Sequence, residues 1–135
     1  MTATIQYEGN LRCHAIHLQS STQIETDAPT DNRGKGERFS PTDLVCAALA
    51  TCMITTMAIR GSDKGIELKG TLVNVKKYMS ANPRRISKID VEVTYPALLP
   101  LTEDDFAFLK EVGDNCPVMK SIHPDIEVNA VYNRQ

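Results

Sequence analysis

Polar and apolar residues alternate from the first few positions. Thr4, Gln6 and Glu8 interleave with Ile5 and Tyr7, the period of an extended strand. Gly9-Asn10 supplies a turn, after which Leu11, Cys13, Ala15 and His17 fall on one face of a second extended run and Arg12, His14, Ile16 and Leu18 on the other. The pair reads as a β-hairpin, and Gln23 to Asp27 as a third strand. The stretch from Ala28 to Phe39 carries a proline, two glycines and five charged side chains, which marks a loop.

At Ser40-Pro41-Thr42-Asp43 the signals change together. Ser caps a helix, Pro suits its first turn, and Asp three residues after Ser completes a variant of the capping box. The helix predicted here runs through Ile59 with small or apolar residues on almost every face, and Gly61 is placed to end it. A surface helix would show a polar stripe, so this one is expected to be covered on all sides. A chain of 135 residues has little material for that, and burial against a second copy, a homodimer, is the natural expectation.

Ile66 to Tyr78 reads as a strand, and Ile89, Val91, Val93 and Tyr95 as a cleaner one after the turn Ala81-Asn82-Pro83, the two forming a long hairpin. Thr102 to Asp105 opens a second helix with Phe106, Leu109 and Val112 on one face and Gly113 just past its end. Asp114 to Pro117 begins a short third helix, Val118 to Ile122, and Ile126, Val128, Ala130 and Tyr132 give a last strand. The order βββ-α-ββ-α-α-β predicts a single α+β domain over residues 1–135, without the βαβ alternation of a parallel nucleotide-binding fold. Neither an internal repeat nor a phosphate-cradling glycine loop is present.

Composition narrows the function classes. Fifteen Lys and Arg against 17 Asp and Glu leave a net charge of -2, which lacks the basic footprint of a nucleic-acid binder. The longest apolar stretch, Leu44 to Ile59, is 16 residues broken by three threonines. That falls short of the roughly 20 that span a bilayer, so no membrane association is expected. The N-terminal segment has no basic region followed by an apolar core, and a cytoplasmic, reducing location is the expectation. Four cysteines in such a setting are packing thiols or redox chemistry rather than a disulfide framework.

The four differ in context. Cys116 sits between Asn115 and Pro117 at a helix start, where unpaired N–H groups favour a thiolate. Cys52 lies about three turns inside its helix, beyond the reach of that helix's dipole, so a cation from elsewhere must activate it. Cys46 and Cys52 point about 120° apart on one helix and cannot bond to each other; Cys46 reads as core. Cys13 and His17 share a strand face near His14, but two same-face ligands are fewer than zinc requires, and neither a metal nor a cofactor is expected.

Two motifs then carry a resemblance. Phe39-Ser-Pro-Thr-Asp-Leu-Val-Cys-Ala-Ala-Leu-Ala-Thr-Cys52 and Asn115-Cys-Pro-Val-Met-Lys120, with 64 residues from Cys52 to Cys116, resemble the paired cysteine motifs of the OsmC/Ohr proteins, thiol-dependent peroxidases of organic hydroperoxides. The strand order and the Gly65-Ile-Glu-Leu segment agree, so the resemblance covers nearly the whole chain. It implies an intertwined α+β homodimer with a long buried central helix and active sites at the subunit interface. It also implies Cys52 as peroxidatic nucleophile, Cys116 as the thiol that resolves its sulfenic acid, and an N-terminal arginine and an acid completing the site.

A thiolate that attacks a peroxide oxygen needs a lowered pKa and a cation for the departing alkoxide, which arginine supplies. The candidates are Arg38, then Arg33, with Arg12 also in range. Where Ohr-type proteins carry Glu, this chain has Thr42; the nearby acid, Asp43, is half a turn out of phase with Cys52 and reads more simply as a helix cap. The implied function is reduction of hydroperoxides through a Cys52–Cys116 disulfide, recycled by an external dithiol of lipoyl or similar type. The alternative is a small-molecule-binding or stress-associated protein of the same fold without efficient turnover.

Overall fold

The expected succession of elements is the one found in the computed structural model, which describes residues 1–135. These are β1 (Ala3–Gly9), β2 (Arg12–His17), β3 (Gln23–Asp27), α1 (Pro41–Ser62), β4 (Leu72–Ala81), β5 (Arg84–Tyr95), α2 (Glu103–Asp114), α3 (Pro117–Ser121) and β6 (Glu127–Arg134). The chain divides into two compact units, Met1–Val45 and Cys46–Gln135.

In the first unit, β1, β2 and β3 form an antiparallel sheet in that order. The hairpin turn is Asn10-Leu11, with φ of 51° and 64°, rather than Gly9-Asn10. Two successive left-handed residues match the twist of the flanking strands, and this takes Leu11 out of the strand in which its apolar character had placed it. The loop that follows contains a 3-10 turn at Thr30–Asn32 and closes on β3, where the Asp27 N–H donates to the Phe39 carbonyl at 3.2 Å. A Cβ on Gly34 would lie 1.5 Å from the Ala28 carbonyl oxygen, so the loop can close this tightly only around glycine. The capping box at the start of α1 is present: the Ser40 N–H donates to Asp43 Oδ2 at 2.8 Å, and the Asp43 N–H donates to Ser40 Oγ at 3.1 Å.

In the second unit β5 is the central strand. It pairs antiparallel with β4, from Leu72 opposite Thr94 to Ala81 opposite Arg84, and parallel with β6, from Lys88 opposite Glu127 to Tyr95 opposite Arg134. A parallel return needs a long crossover, and α2 and α3 provide it. The period-2 set Ile89, Val91, Val93 and Tyr95 is buried to within 1%. It packs in one cluster with Leu49, Met53 and Met57 of α1 and with Leu109 of α2.

Three expectations are corrected here. Residues 66–71 are not strand: Gly65 and Gly70 hold φ of 73° and 88°, and Leu68 reaches the core from a turn. Helix α1 does not end at Gly61 but runs on through it to Ser62. Cys46, Leu49, Ala50, Met53, Met57 and Gly61 are buried, but Ala48, Thr51, Thr55 and Ile59 are exposed along the opposite face. The helix is also longer than its apolar run, at 22 residues, which by length and composition alone would suffice to cross a membrane. Leu49, Met53 and Met57 instead use it as the core helix, with no exposed surface at all.

Gly113 is the third correction, because it lies inside α2, buried, rather than beyond it. A Cβ there would come within 2.7 Å of the Tyr132 hydroxyl and 2.8 Å of Met57 Sδ. Gly113→Ala should therefore destabilise the protein by about 1–3 kcal/mol in denaturant unfolding, despite alanine's better helix propensity. A gain in stability would contradict this reading of the α1–α2–β6 packing.

Candidate active site

Cys52 and Cys116 are brought together. Cys52 lies on the flank of α1, between the buried and exposed faces, half-buried, with Sγ 3.9 Å from Thr56 Oγ1 one turn on. Cys116 is completely buried and caps α3, its N–H donating to the Gly113 carbonyl at 3.2 Å. Its thiol lies within hydrogen-bonding reach of the Cys52 thiol and accepts from the N–H groups of Met119 and Val118. Burial is the largest influence on it and pushes its pKa up; the two N–H groups oppose that, and the neighbouring Cys52 sulfur adds to it. A helix start alone would have argued the other way, and here desolvation wins.

A cavity of about 410 Å³ is lined by Thr56, Arg60, Phe108, Glu111, Val112 and Asn115, with neither cysteine in its wall. It contains the residue one turn after Cys52 and the residue just before Cys116. Sequence reasoning passed over Arg60 and Phe108, which belong to different helices and meet only when α1 packs on α2. The other two cysteines are separate: Cys46 is core at 2% exposure, and Cys13 sits half-buried in β2. His14 engages Gln23 at 3.1 Å and His17 engages Ser20 at 2.7 Å. No three His, Cys, Asp or Glu side chains converge as a metal-binding group.

The candidate arginines all belong to the first unit. Arg38 Nε donates to Glu25 at 2.7 Å, both side chains well exposed, and that contact lowers the Glu25 pKa. Arg33 closes the 3-10 turn with φ of 65°. Arg12 is the most constrained: it holds Asp27 through Nε and Nη2 at 2.7 and 2.9 Å, and Nη2 also reaches Glu37 at 2.9 Å. The two carboxylates raise the Arg12 pKa, Asp27 foremost, and the hydrogen bond from Arg12 lowers that of the buried Asp27. Arg12 and Asp27 are direct partners across β2 and β3, a pairing visible in sequence only once the register of those strands is fixed. Asp43 serves the cap described above.

Around Cys116 the polar side chains are tied to the backbone that carries it. Tyr132 donates to Asp114 Oδ1 at 2.7 Å, Lys110 Nζ reaches Asp114 Oδ2 at 2.6 Å, and Lys120 Nζ donates to Asn115 Oδ1 at 2.6 Å. A partly buried thiol with a buried second thiol at hand is an arrangement suited to two-electron thiol chemistry, in which the first sulfur meets a reagent and the second closes a disulfide.

The OsmC-like protein family is matched over residues 34–131. The fold is similar to that of a protein from Psychrobacter arcticus 273-4, provisionally described as an osmotic stress induced and detoxification response protein. That similarity has a TM-score of 0.93 and 44% identity, over 98% of this chain and 95% of that one. It is also similar to an organic hydroperoxide resistance protein from Legionella pneumophila, with TM-score 0.76 and 15% identity over 100% and 98% of the two chains. The organic hydroperoxide resistance protein OhrB of Bacillus subtilis gives 0.65 and 16% over 98% of each. No curated protein matches the sequence. The chain belongs to the OsmC-like family.

The buried state of Cys116 gives a measurable consequence. With the other three cysteines replaced by serine, a pH titration followed by thiolate ultraviolet absorbance should show Cys116 ionising above the ordinary thiol value of about 8.5. Ionisation at or below that value would mean that the Val118 and Met119 N–H groups outweigh burial.

Proposed function

We propose that the protein is a thiol-dependent hydroperoxide reductase working as a homodimer in a reducing, cytoplasmic compartment. The observation that carries this reading is the contact between a half-buried Cys52 and a buried Cys116. Membership of a family that includes organic hydroperoxide resistance proteins supports it. The exposed face of α1 at Ala48, Thr51, Thr55 and Ile59 supports the dimer, since a second copy would cover it.

In this mechanism the Cys52 thiolate attacks the terminal oxygen of a hydroperoxide. The O–O bond breaks, a Cys52 sulfenic acid forms, and the alkoxide leaves to take up a proton as the alcohol. The Cys116 thiol then attacks the sulfenic sulfur, forming the S–S bond and releasing water. An external dithiol, of lipoyl or similar type, reduces the disulfide by exchange and is itself oxidised. Phe108 and Val112 offer apolar walls for the organic part of the substrate, and the leaving oxygen needs a cation, for which an arginine is suited. Among Arg38, Arg33 and Arg12, the doubly anchored Arg12 is the best preorganised, and a preorganised donor needs no rearrangement as charge develops.

With cumene hydroperoxide and a dithiol, Cys52→Ser should lower peroxide consumption by about a thousandfold or more, the scale of losing an activated nucleophile. Cys116→Ser should retain the first turnover and then stall as sulfenic or sulfinic acid. Undiminished consumption by Cys52→Ser would refute the mechanism. Ligand binding without thiol-dependent turnover would instead favour a binding protein built on the same fold.

A further inference from the structure

Resolution of a sulfenic acid depends on where the second thiol is held, and four side-chain contacts converge on the three residues ending at Cys116. Asp114 closes α2 and receives Tyr132 from β6 on Oδ1 and Lys110 on Oδ2. The Lys110 ammonium also lies 5.1 Å from the centre of the Tyr132 ring, and the same tyrosine hydroxyl stands 3.5 Å from the Lys110 carbonyl. Asn115 donates through Nδ2 to the Glu111 carbonyl at 2.9 Å and accepts from Lys120 at 2.6 Å. Next to them the buried Gly113 lets the Tyr132 hydroxyl approach the helix backbone. Cys52 has its own polar neighbour, Thr56 Oγ1, at 3.9 Å. Tyr132 is near enough to Cys116 for the two to interact electrostatically.

The neighbouring strand supplies a contrast. Tyr95 on β5 is fully buried, and its hydroxyl has no hydrogen-bond partner. Of these two phenols, the partly buried Tyr132 is committed to the Cys116 segment and the buried Tyr95 is not.

We propose that Tyr132, acting through Asp114, is the positioning residue for Cys116 and sets the rate at which the Cys52 sulfenic acid is captured as a disulfide. This rests on the thiol-peroxidase reading for its first step. In the step concerned, the Cys116 sulfur bonds to the Cys52 sulfur, the S–O bond of the sulfenic acid breaks, and the oxygen leaves as water with the thiol proton. A disulfide demands an S–S length near 2.05 Å and a dihedral near a right angle, so a loosened Cys116 segment spends less time in reactive geometry. The nucleophilic attack by Cys52 on peroxide makes no such demand on the segment.

The test separates the two steps in the full-length protein with cumene hydroperoxide under rapid mixing. Tyr132→Phe should form sulfenic acid at the parental rate but close the disulfide about tenfold more slowly, the scale on which a small loss of positioning acts. The longer-lived sulfenic acid should then be trapped more fully by a 1,3-diketone. Asp114→Asn, which keeps a carbonyl acceptor for the hydroxyl, should lie closer to the parent than Asp114→Ala. Tyr95→Phe, which removes no hydrogen bond, should leave both steps alone. Disulfide closure by the Tyr132→Phe variant at the parental rate would overturn the proposal, as would equal slowing of both steps, the mark of a merely structural role. If the parent does not consume peroxide through Cys52, closure of the same pair by diamide gives the ordering independently. An unchanged diamide rate in Tyr132→Phe would overturn the positioning role itself.

Discussion

Helix α1 can bury only one face against β5 and α2, and the face it buries decides what each of its cysteines can do. Leu49, Met53 and Met57 define that face by their four-residue spacing, and Cys46, three residues before Leu49, falls on it. Cys52, rotated by about 120° from Cys46, falls on the flank, where it is only partly buried. The same packing draws the C-terminal end of α2 against Met57 through Gly113 and so delivers Cys116 from the following residues. The juxtaposition of the thiols is a by-product of core packing, which no local feature of either cysteine motif could create alone.

Electrostatics then differentiates the pair. Burial holds Cys116 in its neutral form, whereas a group that must first meet an external oxidant has to be accessible, as the half-buried Cys52 is. A protonated, enclosed thiol is shielded from direct oxidation, which in the proposed mechanism keeps Cys116 available for a Cys52 sulfenic acid. In the first unit the same physics immobilises Arg12: a bidentate carboxylate and a second acid hold the guanidinium in one orientation, where Arg38 has a single exposed partner.

Much of this was legible in the residues. The element order, the Ser40–Asp43 capping box, the core role of Cys46 and the β4–β5 hairpin follow from period and cap chemistry. Boundaries failed where apolar residues do their work outside regular structure. Leu68 is a core residue in a turn, and Leu11 sits in a left-handed turn position despite its side chain. Gly113 looked like a terminator because glycine usually is one; its purpose here is clearance for a sulfur and a phenol. The partners of Cys116 were hidden for another reason. Tyr132 meets Asp114 across 18 residues only because β6 returns parallel to β5, and strand direction is not written in an alternation pattern. Arg12 likewise needs the exact β2–β3 register before its carboxylate can be named.

The account as a whole turns on which two sulfurs become one bond. Treating the reduced protein with one equivalent of cumene hydroperoxide, blocking the remaining thiols and mapping linked peptides by mass spectrometry reads this directly. A single Cys52–Cys116 bridge with Cys13 and Cys46 still alkylatable after unfolding is the predicted result. A bridge that includes Cys13 or Cys46, or no bridge with all four thiols intact, would contradict it.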